Sequence, residues 1–156
     1  MACAFVRIMV GEPKDPTRPT VLVVDDENGP REAFQLVLES QFEVLTAESG
    51  WVALEMLQRT TVDVITLDLM MPTMSGTETL RRIRAIDPQV EVVVVSAVPS
   101  RSEIAECRAL GAFDFLGKPF SRAEILSVVA RAAASAGKRG RAKRIAPGAA
   151  KQTGTN

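Results

Sequence analysis

The chain alternates short apolar runs with longer segments in which apolar residues recur every three or four positions. The apolar runs predict strands at 20–24, 42–46, 62–67, 90–95 and 113–116. The segments between and after them have helical spacing and predict helices at 30–40, 50–58, 76–86, 100–110 and 121–135. Strict alternation predicts an α/β fold with a doubly wound, five-stranded parallel sheet that helices cover on both faces.

The composition of the strands indicates their order in the sheet. The first, third and fourth strands are continuously apolar, as VLVV, VITL and VVVV, whereas FEVL and FDFL in the second and fifth alternate with an acid. Continuous apolar runs are typical of strands buried on both faces, and alternation suits less covered edge strands. The pattern agrees with the order 2-1-3-4-5, in which the first and third strands are neighbours.

Three carboxylates follow these two neighbouring strands. Asp25 and Asp26 come after the first strand, and Asp68 comes after the third. The carboxyl ends of parallel strands meet at one edge, so we expect the acids to converge where open α/β sheets bind ligands. A cluster of acids there favours a hard divalent cation such as Mg²⁺. Taken singly, each acid has an ordinary explanation, because Asp is common at strand ends and turns.

Two more polar residues stand at the same level of the sheet. Ser96 closes the fourth strand, and Lys118 follows the fifth. A lysine supplies a compact positive charge for a carboxylate or phosphoryl oxygen, and a serine hydroxyl donates a hydrogen bond. The alternatives are a helix-capping serine and a solvated loop lysine.

Composition excludes several kinds of chemistry. The chain has no histidine, so an imidazole acid or base, an ordinary zinc site or a phosphohistidine has to come from a partner. Of the two cysteines, Cys107 lies on the apolar side of a predicted helix and is expected to be a buried free thiol. No apolar stretch approaches the roughly 18 to 20 residues of a membrane span, and we expect a cytoplasmic protein.

Charge and proline divide the chain into three parts. Residues 1–19 are interrupted by prolines and are predicted to be an irregular leader, followed by a domain at 20–135. Residues 136–156 hold six basic residues and no acid, which leaves 13 basic against 19 acidic residues in the remainder. We predict a disordered basic tail. It allows electrostatic binding of nucleic acid, but the absence of interleaved aromatics and of a helix-turn-helix pattern favours a solvated tail.

Four segments together carry a resemblance to a known family. They are VLVVDDE at 21–27, LDLMMPTMSG at 67–76, VVVVSA at 92–97 and FLGKPF at 115–120. Over residues 20–135 the chain closely resembles the response-regulator receiver domains of two-component signalling. The resemblance implies a flavodoxin-like receiver fold in a single-domain response regulator. It also implies a phosphoacceptor, not a turnover enzyme, that receives its phosphoryl group from a histidine kinase or histidine phosphotransfer protein.

The resemblance also implies roles for the residues of the site. Asp26, Asp68 and the backbone carbonyl of Met70 would hold Mg²⁺, and Asp25 would reach the ion through water. Asp68 would be the phosphoacceptor, a role in which positioning and charge neutralisation supply most of the catalysis. Lys118 would pair with Asp68 before transfer and with a phosphoryl oxygen afterwards.

Two residues are implied as switch elements. Ser96 would move toward the phosphoryl group, and the ring of Phe115 would swing inward as Ser96 moves. The surface of helix 4, strand 5 and helix 5 would then change its affinity for a downstream protein or for a second copy of the chain. Helix 1, around Arg31 and Gln35, is the expected contact for a histidine kinase.

Other functions remain open from the sequence. They are a nucleic-acid-binding regulator that uses the basic tail, a receiver-like scaffold independent of phosphorylation and, more weakly, an aspartate-nucleophile phosphatase. The complete set of acids, serine and lysine argues against the scaffold, and the lack of room for a cap domain argues against the phosphatase. Because Met70 and Val98 are apolar and cannot orient an attacking water, our hypothesis is that the phosphorylated form hydrolyses slowly.

Overall fold

Strands and helices alternate along the chain, as the hydrophobic pattern predicts. The computed structural model describes residue 15 and residues 17–139. In this part the elements are β1 (Thr20–Val24), α1 (Asn28–Leu38), β2 (Glu43–Ala47), α2 (Gly50–Arg59), β3 (Val64–Asp68), α3 (Gly76–Ile86), β4 (Glu91–Ser96), α4 (Arg101–Ala109), β5 (Asp114–Gly117) and α5 (Arg122–Lys138). The strands form one parallel sheet in the order β2-β1-β3-β4-β5. The predicted fold class and strand order are confirmed.

The burial of the strands follows their composition. Every residue of β1, β3 and β4 is buried. In β2 only Ala47 is buried, and in β5 only Leu116. The strands that alternate with acids are therefore the edge strands, as predicted, because one side of each lacks a neighbouring strand.

The two faces of the sheet hold separate apolar clusters. Successive residues of a strand point to opposite faces, so Leu22 belongs to one cluster and Val23 to the other. The first cluster includes residues of α2, α3 and α4, among them the buried free thiol Cys107, which confirms that prediction. The second cluster joins α1 and α5. Helices thus cover both faces.

Four of the helices begin at a serine that the local sequence supplies. The capping residues are Ser49, Ser75, Ser100 and Ser121. The Oγ of each accepts a hydrogen bond from the backbone N–H three residues further along the chain. Glu103 and Glu124 complete capping boxes by accepting from the backbone N–H of the capping serine. Caps of this kind stabilise a helix by about 1 kcal/mol each, so these starts are largely local properties.

Helix α1 begins and ends two residues before the predicted 30–40. It runs from Asn28 to Leu38, with Pro30 at its third position. A proline is tolerated there because the first N–H groups of a helix have no partner inside it. Proline therefore does not mark the first residue of this helix.

Four strands begin later than their apolar runs. The starts of β2, β4 and β5 are one residue later than predicted, and that of β3 is two residues later. Val62 and Val90 are fully buried but precede the strands. An apolar run records burial, whereas hydrogen bonds to the neighbouring strand decide where a strand begins. At their other ends β3 and β4 continue one residue further than predicted, so Asp68 and Ser96 are their last residues.

Helix α5 is longer than predicted, so the tail does not begin at residue 136. The helix continues to Lys138. Its last turns contact Glu91, a carboxylate only 1% exposed at the start of β4. Ser135 Oγ donates to Glu91 Oε1 at 2.8 Å, and Arg139 Nη1 lies 3.2 Å from the same oxygen. These contacts join the end of α5 to the start of β4.

Several predictions concern residues outside the described part. The described residues of the leader are Asp15 and Thr17–Pro19, where the Arg18 N–H donates to the Asp15 carbonyl at 3.2 Å. Most of the basic tail, and with it the predicted nucleic-acid contact, also lies outside the described residues. Within residues 17–139, no helix is both long and apolar enough to cross a membrane.

We expect Ser135→Ala to lower the free energy of unfolding by about 1 to 3 kcal/mol, because the buried Glu91 carboxylate loses a hydrogen-bond donor. Chemical denaturation measures the change. Ser127→Ala is the matched control, since Ser127 is exposed on the same helix. Equal stability of the two variants would contradict a role for the Ser135 hydrogen bond.

Candidate functional site

Three carboxylates meet at the carboxyl ends of β1 and β3. The two strands are parallel neighbours with Val24 opposite Leu67, so the residues that follow lie at the same edge of the sheet. One carboxylate oxygen each from Asp25, Asp26 and Asp68 lies within 4.8 Å of the others. Asp25 is 3% exposed and Asp68 is 5% exposed. The predicted convergence of the acids is therefore present.

The acids have the donor set of a site for a divalent cation. Asp26 Oδ1 is buried and has no hydrogen-bond partner among the described residues. A buried carboxylate oxygen without a donor is costly unless a cation or water contacts it. Because Mg²⁺ takes oxygen ligands and usually keeps several waters, the three acids suit it.

Lys118 supplies the positive charge within the acidic cluster. Its Nζ lies 3.3 Å from Asp68 Oδ2 and 3.9 Å from Asp25 Oδ2. The backbone N–H of Lys118 donates to the Ser96 carbonyl at 2.9 Å, which ties the residue to β4. The peptide bond to Pro119 is cis. One lysine cannot neutralise three carboxylates, so a further cation would stabilise the ionised site.

The local environment raises the pKa of Asp25 above its ordinary value near 3.8. The main cause is burial, which penalises the charged form, and the nearby carboxylates of Asp68 and Asp26 act in the same direction. The hydrogen bond from the Glu27 N–H, 2.9 Å from Asp25 Oδ1, and the charge of Lys118 oppose the shift but do not cancel it. Further positive charge nearby would therefore favour the ionised form of Asp25.

The loop after β3 holds Asp68 from its backbone side. The Met70 N–H donates to Asp68 Oδ1 at 3.0 Å, so both carboxylate oxygens have a donor, one from Met70 and one from Lys118. A Cβ built on Gly76 would lie 2.4 Å from the Asp68 carbonyl oxygen. Only glycine fits this close approach, which brings α3 directly against the end of β3.

The two predicted switch residues lie at different distances from the acids in the fold. Ser96 is buried, and it directly follows Val95, which is opposite Asp68 in the register of β3 and β4. Phe115 lies on β5, where its partly buried ring packs against an apolar cluster. The Arg108 guanidinium lies 5.7 Å from the centre of that ring, within the range of a cation–π contact.

Two interactions of the site were not predicted from the sequence. One is the proximity of Lys118 to Asp25 as well as to Asp68. The other is the hydrogen bond at 2.8 Å from Arg31 Nη1 to the Asp25 carbonyl. A signal for the second was available, because a cation near the start of a helix opposes the helix dipole and needs a local acceptor.

Comparisons with known proteins agree with this arrangement. The family model of the response regulator receiver domain matches residues 21–130. The chemotaxis protein CheY of Listeria monocytogenes is 36% identical over 115 residues, which cover 72% of this chain and 97% of that protein. The crystallised CheY4 of Vibrio cholerae is 30% identical, with a TM-score of 0.70 over 74% of this chain and 98% of that one.

Longer proteins also contain a similar segment. A protein-glutamate methylesterase/protein-glutamine glutaminase of Bacillus licheniformis is 45% identical over 103 residues. The match covers 64% of this chain but only 29% of the methylesterase. The similarity therefore concerns the receiver segment and does not extend to the rest of that protein.

Fold, site and comparisons together define a phosphoacceptor domain of two-component signalling. The chain belongs to the response regulator receiver domain family. Receiver domains take phosphoryl groups from histidine kinases or phosphotransfer proteins and generally bind Mg²⁺ at an acidic pocket. This chain has an acidic cluster of Asp25, Asp26 and Asp68 at the carboxyl ends of β1 and β3.

We expect Asp25→Asn to raise the free energy of unfolding of the metal-free protein at neutral pH. A carboxyl whose pKa is raised on folding loses stabilisation as the pH rises through its folded-state pKa, whereas the asparagine stays neutral. The gain should disappear below the ordinary Asp pKa. Chemical denaturation with a chelator over a pH series measures it. A gain that grows on acidification would contradict the assigned cause.

Proposed function

We propose that this protein is a phosphoacceptor response regulator of a two-component phosphorelay, with Asp68 as the residue that is phosphorylated. The observation that carries the proposal is the position of the buried Asp68 carboxylate, between Lys118 and two further acids. The family membership supports the reaction class. The chain contains no histidine, so the phosphohistidine donor is a histidine kinase or a histidine phosphotransfer protein.

In the proposed reaction, an Asp68 carboxylate oxygen attacks the phosphorus of the phosphohistidine. The new bond is the P–O bond of an acyl phosphate. The P–N bond breaks, and its electron pair returns to the imidazole nitrogen of the donor. Little covalent chemistry is required of the protein, so positioning and charge supply most of the acceleration. This role is consistent with a phosphoacceptor whose acyl phosphate is the signal and not an intermediate of turnover.

The residues around Asp68 have separate tasks in this proposal. Lys118, which pairs with Asp68 in the resting site, transfers its contact to a phosphoryl oxygen. The Ser96 hydroxyl donates a hydrogen bond to another phosphoryl oxygen. Asp26, Asp68 and the Met70 carbonyl would hold Mg²⁺, with Asp25 reaching the ion through water, and the ion would supply positive charge for the phosphoryl oxygens.

The output follows from the movement of Ser96 and Phe115. Phosphorylation adds about two negative charges, and a two-state element with a gap of a few kcal/mol converts this local change into a shift of populations. An inward swing of the Phe115 ring would break its contact with Arg108. The surface of α4, β5 and α5 would then bind a downstream protein or a second phosphorylated copy.

We expect the protein to gain the mass of one phosphoryl group on incubation with acetyl phosphate and Mg²⁺, and Asp68→Asn to gain none. Intact-mass spectrometry measures the gain, and a chelator should abolish it. Asp114→Asn is the matched control, because Asp114 lies on β5 and pairs with Arg131 outside the site. Phosphorylation of Asp68→Asn would overturn the assignment of Asp68, and no gain in any variant would favour a phosphorylation-independent scaffold.

We expect the double variant Met70→Asn, Val98→Glu to lose the phosphoryl group roughly 10- to 100-fold faster than the native protein, because polar groups at these positions can orient an attacking water. Met70 is 73% exposed and Val98 is 88% exposed, so both substitutions are tolerated sterically. Decay of the phosphorylated mass after donor removal measures the rate. An already fast native rate that the double variant leaves unchanged would defeat the hypothesis of slow hydrolysis.

A further inference from the structure

Arg31, in the first turn of α1, contacts the backbone of Asp25 at the end of β1. Its Nη1 donates to the Asp25 carbonyl at 2.8 Å, and its Nη2 donates to Asn28 Oδ1. The guanidinium is therefore held between the end of β1 and the first residue of α1. A planar guanidinium suits such a two-sided contact, which the single ammonium of lysine does not reproduce.

The carbonyl that Arg31 binds belongs to the peptide unit between Asp25 and Asp26. A peptide unit is planar, so a hydrogen bond to its carbonyl restricts the direction in which the next residue leaves. The Asp25 N–H is held by the Ala47 carbonyl at 3.2 Å. The backbone is thus fixed on both sides of Asp25, at the step that places Asp26.

Asp26 depends on this backbone more than its neighbours do. Asp68 receives hydrogen bonds from Met70 and Lys118, and Asp25 receives one from the Glu27 N–H. By contrast, Asp26 Oδ1 is buried with no partner in the part of the chain that the structure describes. Nothing on that oxygen orients the Asp26 side chain, so its direction is set from the main chain.

We propose that Arg31 is a positioning residue for the cation site, which holds the Asp25–Asp26 peptide so that the Asp26 carboxylate points into the cluster. The inference rests on the proposed function in one respect, namely that the three acids bind Mg²⁺. It goes beyond that function because it assigns part of the Mg²⁺ affinity to Arg31, whose hydrogen bonds go to a backbone carbonyl and to Asn28 and not to the carboxylates. Partners of this indirect kind typically change metal affinity by about 10- to 100-fold.

The sign of the effect separates positioning from simple electrostatics. Arg31 is a cation, and through-space repulsion alone would weaken Mg²⁺ binding in the native protein. If Arg31 acted only as a charge, its removal would strengthen Mg²⁺ binding. If it positions Asp26, its removal weakens Mg²⁺ binding despite the loss of repulsion.

The test is a calorimetric titration of the full chain with Mg²⁺ alone, without a phosphoryl donor. We expect the Mg²⁺ dissociation constant to rise by roughly tenfold or more in Arg31→Gln. Arg31→Lys keeps the charge but lacks the planar fork, so a smaller rise is expected. Arg131→Gln is the matched control, because Arg131 bonds Asp114 at 2.8 Å outside the site. Its dissociation constant should equal that of the native protein.

The outcomes distinguish this inference from the proposed function. An equal or lower dissociation constant in Arg31→Gln, with native binding intact, overturns the positioning role and leaves the phosphoacceptor proposal standing. Native protein that takes up no Mg²⁺ overturns the metal site itself. Thermal unfolding without Mg²⁺ establishes that each variant folds. If Arg31→Gln does not fold, Arg31→Lys decides: weaker binding supports positioning, and native binding overturns it.

Discussion

The mutual repulsion of three carboxylates is the constraint on which the rest of the site depends. The parallel register of β1 and β3 brings oxygens of Asp25, Asp26 and Asp68 within 4.8 Å of one another, where each ionised pair repels by roughly 3 kcal/mol at an effective dielectric constant of about 20. Lys118 offsets part of this repulsion. Burial separately disfavours the ionised form of Asp25 and is the main cause of its raised pKa. Further positive charge, which a divalent cation supplies, would therefore stabilise the ionised site.

Holding like charges together requires a rigid frame, which the neighbouring backbone supplies. Gly76 lets α3 approach the Asp68 carbonyl more closely than any side chain would permit. The Met70 N–H fixes one oxygen of Asp68, and Arg31 fixes the carbonyl of Asp25. Each of these groups acts on the main chain or on a carboxylate that cannot relax toward solvent. These contacts hold the carboxylates in place without a ligand, and such fixed positioning is what phosphoryl transfer generally requires.

Strand β4 links the site to the edge strand β5 and to the last helix. β4 carries Ser96 beside the acids and pairs on its other side with β5, where Phe115 lies opposite Val94. The Lys118 N–H bonds the Ser96 carbonyl, so the lysine and the serine share one backbone connection. At the opposite end of β4, Glu91 binds the last turns of α5. Strand β4 is therefore in direct contact with both the edge strand and the last helix.

The sequence alone determined the parts of this protein that are local. Continuous apolar runs and runs interrupted by acids identified central and edge strands, because burial on one or two faces selects the side chains directly. The acids at two strand ends were equally visible in the sequence. Four helix starts are also local, because a serine caps each of them. Only the tertiary structure decided where strands begin, since Val62 and Val90 are buried outside the ladder. It also placed Ser135, near the end of α5, against Glu91 and Arg31 against the Asp25 carbonyl. These features depend on contacts between residues that are distant in the sequence, or on the direction of a side chain. The spacing of apolar and polar residues along the chain specifies neither.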